Sequence, residues 1–418
     1  MQSREQKGLE IAARMRVVRD GDSWSVPSQT AGGKYRVDPV APSCTCEDFQ
    51  LRQAACKHVH AVRFVLERER GNETVIPAAA PDARPPSHRP TYKQDWPAYN
   101  RAQTTEKHRL QVLLADLCRG VEEPPRARTG RKPVPLADAI FACVFKVYST
   151  FSSRRFNCDL QDAHAAGHLS RAVHCNKVNT FMENPELAPV LRRLISESSR
   201  PLAAVEVDFA PDSSAFSTSK FDRWFDVKHG GVRSENVWLK LQMMCGVRTN
   251  VVTTAVVCER DGPDSPYLPQ LVRETAANFV MNEVSADKGY SSTYGHDAVD
   301  AAGATPFISF KVNATGGSGG VWQRMYHYFA LNRDEFLRHY HKRSNAESVF
   351  SMVKRKFGDS LRSKTRAAMV NELLCKVLAH NVCVLIQEQE ELGVAPDFWP
   401  DDADGESPTL KFPTVYTG

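Results

Sequence analysis

Residues 340–354 read YHKRSNAESVFSMVK, and within them Tyr340, Arg343, Glu347 and Lys354 follow one another at steps of three, four and seven. On an α-helix those steps return to the same side after one or two turns, so the four side chains share a face. The spacing predicts one long helix from about Asn332 to beyond Phe357, presenting a carboxylate flanked by two cations and a phenol. Phe350, Val353 and Phe357 recur on another face and would seat that helix on a sheet. Taken alone, the charges also fit an ordinary solvated helix face. The rest of the chain has to decide.

Upstream the hydrophobic pattern changes period. LAAVEVDFA (202–210), NVWLKLQMM (236–244) and VVTTAVVCE (251–259) are strand-like through alternation or β-branched content. The helical stretch YLPQLVRETAANFV (267–280), the short strand NEVSA (282–286), a helix near TYGHDAVDAAG (293–303) and the strand TPFISF (305–310) follow. After the Gly-rich loop comes the long helix. Three strands, helix, strand, helix, strand, helix predicts an α/β domain over 201–395. An acid stands on the first strand, one just after the fourth and one on the last helix: Asp212, Asp287 and Glu347. Phosphodiester chemistry on DNA uses two divalent ions about 4 Å apart, and magnesium demands oxygen ligands. Three carboxylates brought to one point supply them. Asp208 has the same strand parity as Asp212, so either can face the site. Pro211 is expected to end the ladder and leave Asp212 at the strand's rim.

At these residues the chain resembles DDE transposases of bacterial insertion sequences, whose catalytic domain is RNase H-like. It is similar to the branch marked Tyr-x2-Arg-x3-Glu-x6-Lys, met here by Tyr340, Arg343, Glu347 and Lys354. The second-aspartate motif of that family corresponds to Asp287, Lys288, Gly289 and Tyr290, and its first to Asp212, Ser213 and Ser214. The resemblance implies Mg²⁺- or Mn²⁺-dependent cleavage and strand transfer at transposon ends. It also implies contacts of Tyr340, Arg343 and Lys354 with DNA phosphates, and at least a dimer to pair two ends. The alternatives are a transposase-derived DNA-binding protein without catalysis, or a nuclease of the same fold.

The first 69 residues read as a small β+α unit, with short alternating runs (RMRVV, SWSV, KYRV), a Cys-rich loop and a helix. Cys44, Cys46, Cys56 and His58 offer four ligands in Cys-x-Cys and Cys-x-His pairs, suited to one tetrahedral zinc ion. His60 is an alternative fourth ligand. The unit resembles a SWIM zinc finger, which implies binding of DNA or protein. A Pro-rich linker is expected over 70–90 and a flexible, acidic tail over 396–418.

Residues 91–200 read as helical throughout, and the resemblance makes them a DNA-binding region. Ala163, Gly167 and Val173 have the spacing of a helix-turn-helix, though a plain helical hairpin with a glycine turn fits equally. The net charge of +5 permits nucleic-acid binding without arguing for it. The eleven cysteines lack the short, secreted context of a disulfide scaffold. With no uninterrupted apolar run near about 20 residues, the expectation is a cytoplasmic, nucleoid-associated protein without membrane contact.

Overall fold

The computed structural model describes residues 4–28, 33–70, 95–123, 133–218, 237–259, 261–311, 313–315 and 318–399. The expected linker and most of the acidic tail therefore lie outside the described residues. The chain divides into two compact units, residues 1–93 and 94–418.

In the first unit a helix, α1 (Arg4–Arg14), precedes the strands β1 (Val18–Asp20), β2 (Ser23–Pro27), β3 (Lys34–Asp38) and β4 (Ser43–Cys44). These pair antiparallel in chain order. The helix ends at Arg14, the first residue of the alternating run RMRVV, of which only Val18 enters a strand, and buries Ile11 and Ala12 in the unit's core. Trp24, Val26 and Val37 point inward from the sheet onto Ala61, Val62 and Val65 of α3 (Lys57–Glu69). The short α2 (Glu47–Arg52) lies between β4 and α3. Where α1 meets α3, Gly8 leaves no room for a side chain: a Cβ there would stand 2.6 Å from that of His60.

The second unit is a mixed sheet with helices. Five helices open it: α4 (Trp96–Arg119), α5 (Leu136–Ser149), α6 (Ser153–Ala165), α7 (Cys175–Met182) and α8 (Leu187–Ser199). Ala163 and Val173 are buried and Gly167 adopts a φ of +80°. The connection from α6 to α7 nevertheless runs from residue 166 to residue 174, longer than the tight turn of a helix-turn-helix.

The sheet follows with β5 (Asp208–Thr218), β6 (Trp238–Gly246), β7 (Val252–Glu259), β8 (Glu283–Ala286) and β9 (Thr305–Ile308), in the spatial order β7-β6-β5-β8-β9. Helices α9 (Leu268–Ala276) and α10 (Thr293–Ala301) make the crossovers to β8 and β9. β8 and β9 run parallel to β5, whereas β6 pairs antiparallel with both β5 and β7. The strand, helix, strand, helix, strand order read from the pattern is the order found.

Two local expectations differ. The first strand begins at Asp208 and runs through Pro211, which pairs with Met244 of β6. A proline is tolerated there because β8 reaches only Asp208 and Phe209, and β10 (Ser360–Leu361) only Ser217 and Thr218. Between them, among the described residues, β5 has a partner on one side only, so a missing N–H leaves no ladder position empty. Asp212 thus lies mid-strand rather than at a rim.

The long final helix is also broken. After α11 (Gly320–Leu331), the stretch from Asn332 consists of α12 (Arg333–Tyr340), a 3₁₀ turn over His341–Arg343, and α13 (Ser344–Phe357). Ser285 on β8 donates from Oγ to the carbonyl of His339 at 2.9 Å. Lys342 is held by Asp208 at 2.8 Å and also by Glu283. Side chains inserted beside a helical ladder divert it at that point.

Through the centre of the unit runs α14 (Arg366–Glu391). It is long and apolar enough to cross a bilayer by composition, yet 89% of that window is buried inside the unit. Its polar residues are matched internally. Asn381 Nδ2 donates to the carbonyls of Ile195 and Val252 and to Ser198 Oγ, while its Oδ1 accepts from Val252 N at 2.9 Å. Loss of such a fully used buried amide costs about 1–3 kcal/mol per orphaned partner. Beyond α14, Phe398 is fully buried and Trp399 donates from Nε1 to the carbonyl of Asp116 at 3.2 Å. Residues 398 and 399, which fall within the expected flexible tail, are therefore packed.

Burial lowers the pKa of His380 to about 4, against a hydrogen bond with the Asn250 carbonyl that favours the charged ring. The folded state therefore binds this proton less readily than the unfolded chain. Its contribution, about 3 kcal/mol, is present above pH about 6.5 and lost as pH falls toward 4. Urea melts of the wild type and of His380→Gln are expected to differ clearly at pH 7. That gap closes near pH 4.5. An equal gap at both pH values would contradict the assignment.

Candidate active site and metal centre

Cys44 ends β4, Cys46 and Cys56 stand at the N-termini of α2 and α3, and His58 lies in the first turn of α3. All four are buried, and their ligand atoms lie within 4.8 Å of one another. His58 Nδ1 is 3.8 Å from both Cys44 Sγ and Cys56 Sγ. Four ligands about 2.3 Å from one tetrahedral ion stand about 3.8 Å apart, so the spacing suits zinc. The thiols share their protons unevenly: the hydrogen bond between Cys44 and Cys56 lowers the pKa of Cys56 and raises that of Cys44. A bound metal replaces those protons. The ring of His58 lies against Tyr35 with centroids 4.5 Å apart. His60 is outside the cluster and faces α1 instead. The Cys3His site fits zinc binding through His58.

In the second unit β5, β8 and α13 position three acids. Asp212 is half-buried in the one-sided stretch of β5 and accepts from Ser213 N at 2.8 Å. Asp287 directly follows β8 and begins a 3₁₀ turn. Glu347 lies in the first turn of α13 and is exposed. Tyr340 donates its hydroxyl to Asp287 Oδ1 at 3.3 Å, and Arg343 pairs with Glu347 at 2.8 Å. The Arg343 guanidinium also stacks over the Tyr340 ring at 5.3 Å. Lys354 reaches Ser214 Oγ on β5 at 2.7 Å and lies over Phe216. Despite the broken helix, Tyr340, Arg343, Glu347 and Lys354 all turn toward the β5–β8 edge. Phe350, Val353 and Phe357 are buried and seat α13 as expected.

The three carboxylates are not drawn to within 4.8 Å of one another as the cysteines and histidine are. Burial raises the pKa of Asp212 to about 6, with Glu347 and Asp264 adding repulsion, against Ser213 N and Arg343. Burial opposes the charge of Arg343, but Tyr340, Glu347 and Asp287 outweigh it and raise its pKa. The guanidinium thus partly neutralises a group of acids. Such a set of hard oxygen donors suits Mg²⁺ or Mn²⁺.

Asp208 is occupied otherwise. It accepts from Lys342 at 2.8 Å and from Asn282 Nδ2 at 3.2 Å. Next to it, buried Glu283 pairs with His339 Nδ1 at 2.6 Å.

Sequence reasoning passed over Asp264, which lies near Asp212 and is bonded by Lys240 and Gln242. Buried Tyr290 joins this group, donating to Gln242 Oε1 at 2.6 Å. Asp264 falls within DGPDSP (261–266), whose Gly and Pro content reads only as a turn. Strict alternation on β6 could have paired Lys240 with Gln242 as one face.

Residues 205–382 match the family model described as the transposase DDE domain, and residues 30–62 match the SWIM zinc finger. No curated protein and no solved structure gives a match. The chain carries a transposase DDE domain, preceded by a SWIM zinc finger.

Proposed function

We propose that this protein is a DNA transposase that cleaves transposon ends and joins them to target DNA, with Asp212, Asp287 and Glu347 as its acidic residues. One observation carries the reading: the acids lie on β5, after β8 and on α13, beside Arg343 and Tyr340, within the residues that match the transposase domain. Mg²⁺ or Mn²⁺ held by the acids supplies activation of the attacking oxygen and stabilisation of the leaving one.

The remaining work falls to the protein. Asp212 is penalised for its charge while the site lacks a cation, and a divalent ion bound there would relieve that penalty. Arg343, pairing with Glu347 in the metal-free site, offers its guanidinium fork to a phosphate once the acids are otherwise neutralised. Lys354 spends one donor on Ser214 and keeps two for the scissile strand. Pairing two ends calls for at least two copies of the chain. The SWIM finger adds a contact with DNA or with a protein partner.

Asp287→Asn and Glu347→Gln are expected to abolish metal-dependent cleavage of end DNA and leave DNA binding largely intact. Full cleavage in EDTA would sink the proposal. Asp208→Asn and Asp212→Asn separate the two aspartates of β5: cleavage should vanish with Asp212→Asn and survive, reduced, with Asp208→Asn. The opposite ranking would transfer the role to Asp208.

For the finger, elemental analysis should find about one zinc per chain, as one closed tetrahedral site requires. Cys56→Ser should unfold the first unit and leave the melting of the second unchanged. A zinc-free preparation with a folded first unit would refute the site.

A further inference from the structure

A cavity of about 440 Å³ opens where the end of α5, the start of α6, α7 and the segment after β10 meet. Its walls carry Lys146, Arg362, Lys364 and Lys376 against Glu183 and Glu372. Two of these charges are already matched. Lys376 is buried and donates to the carbonyls of Gly358 and Ser360 at 2.8 and 2.9 Å. Glu372 accepts from the backbone amides of Arg362 and Ser363. An excess of positive charge is left facing the opening.

The loop between α5 and α6 braces two of the cations. Lys146 Nζ donates to the Phe151 carbonyl and Arg362 Nη1 to the Thr150 carbonyl. Thr150 holds a φ of +56°, a left-handed conformation that a β-branched residue rarely adopts. Such strain persists where surrounding structure enforces it, and it collects at ligand sites. The same loop delivers the N-terminus of α6, which has no side-chain cap, to the rim, where its amide groups add partial positive charge. Burial and the nearby Arg362 lower the pKa of Lys146, so an anion at this place would relieve a real repulsion.

Phe357, the last residue of α13, is also part of the wall. From Glu347 to Phe357 is ten residues of one helix, or about 15 Å. The geometry points to a second DNA contact: the cavity seats a backbone phosphate of the duplex, held by Lys146, Arg362 and Lys364, about 15 Å along α13 from Glu347. This rests on the transposase reading for its choice of DNA. At about 3.4 Å per base pair the seated phosphate lies some four to five base pairs from the cleaved bond.

The test is the salt dependence of binding of the full chain to a mixed-sequence DNA duplex in EDTA, where no cleavage occurs. Each phosphate contact contributes about 0.9 to the slope of log affinity against log salt. Arg362→Gln with Lys364→Gln, which together release the one seated phosphate, should flatten that slope by about 0.9, and Lys364→Gln alone by a measurable part of that. Lys364 is exposed, so its single variant is expected to melt like the wild type and keeps the test open if the double variant folds poorly. Unchanged slopes in a folded Lys364→Gln protein would overturn the proposal. So would inorganic phosphate raising the melting temperature of the wild type but not of the variant while the slopes coincide, which would assign the cavity to the free ion. Binding is read without metal, so Asp287→Asn cleaving like the wild type would remove the catalytic reading alone.

Discussion

The site depends on an interruption in the sheet. β5 is held by β8 at its start and by β10 at its end, and between Ala210 and Phe216 its second edge has no strand partner among the described residues. Parallel strands diverging in this way open a crevice at their carboxyl ends, the usual ligand position in open α/β sheets. α13 covers the gap through Ala346, Val349, Phe350 and Val353, all buried. The acids of three separate segments reach one edge because the ladder stops there. A continuous β5–β8 ladder would fill the gap with backbone hydrogen bonds and leave no place for them.

The break between α12 and α13 follows from the same edge. Ser285 and Glu283 of β8, with Asp208 of β5, take hold of the His339 carbonyl, the His339 ring and the Lys342 ammonium. Asn345 then donates to the Val247 carbonyl at 2.7 Å. These contacts come immediately before and after Arg343, so its position is set from both sides. Glu347, one turn further, inherits that placement.

Much of this was legible in the chain because it depends on local pattern. The order of strands and helices follows from hydrophobic period, and the three zinc-ligand cysteines from their spacing, with His58 or His60 left as the fourth. The run of β5 through Pro211 was not legible, since whether a proline ends a strand depends on what lies across its N–H side, a matter of tertiary pairing. The broken helix escaped for a related reason: its interruption comes from Ser285 and Glu283, more than fifty residues earlier in sequence. The basic cavity could not be seen either, since Lys146 and Arg362 are brought together only by the packing of α5 against α14.

The two aspartates of β5 show how environment divides a role that the sequence leaves open. Asp208 has Lys342 and Asn282 as permanent partners, so its charge is satisfied without any ion. For Asp212, burial and the like charges of Glu347 and Asp264 outweigh the amide of its own neighbour and Arg343, and raise its pKa to about 6. A carboxylate stabilised by built-in cations gains little from a metal ion. One whose charged form is penalised gains most, because the incoming cation removes repulsion as well as forming a bond. The asymmetry supports Asp212 as the metal-facing acid and gives Asp208 the separate task of tying the α12–α13 break to the sheet.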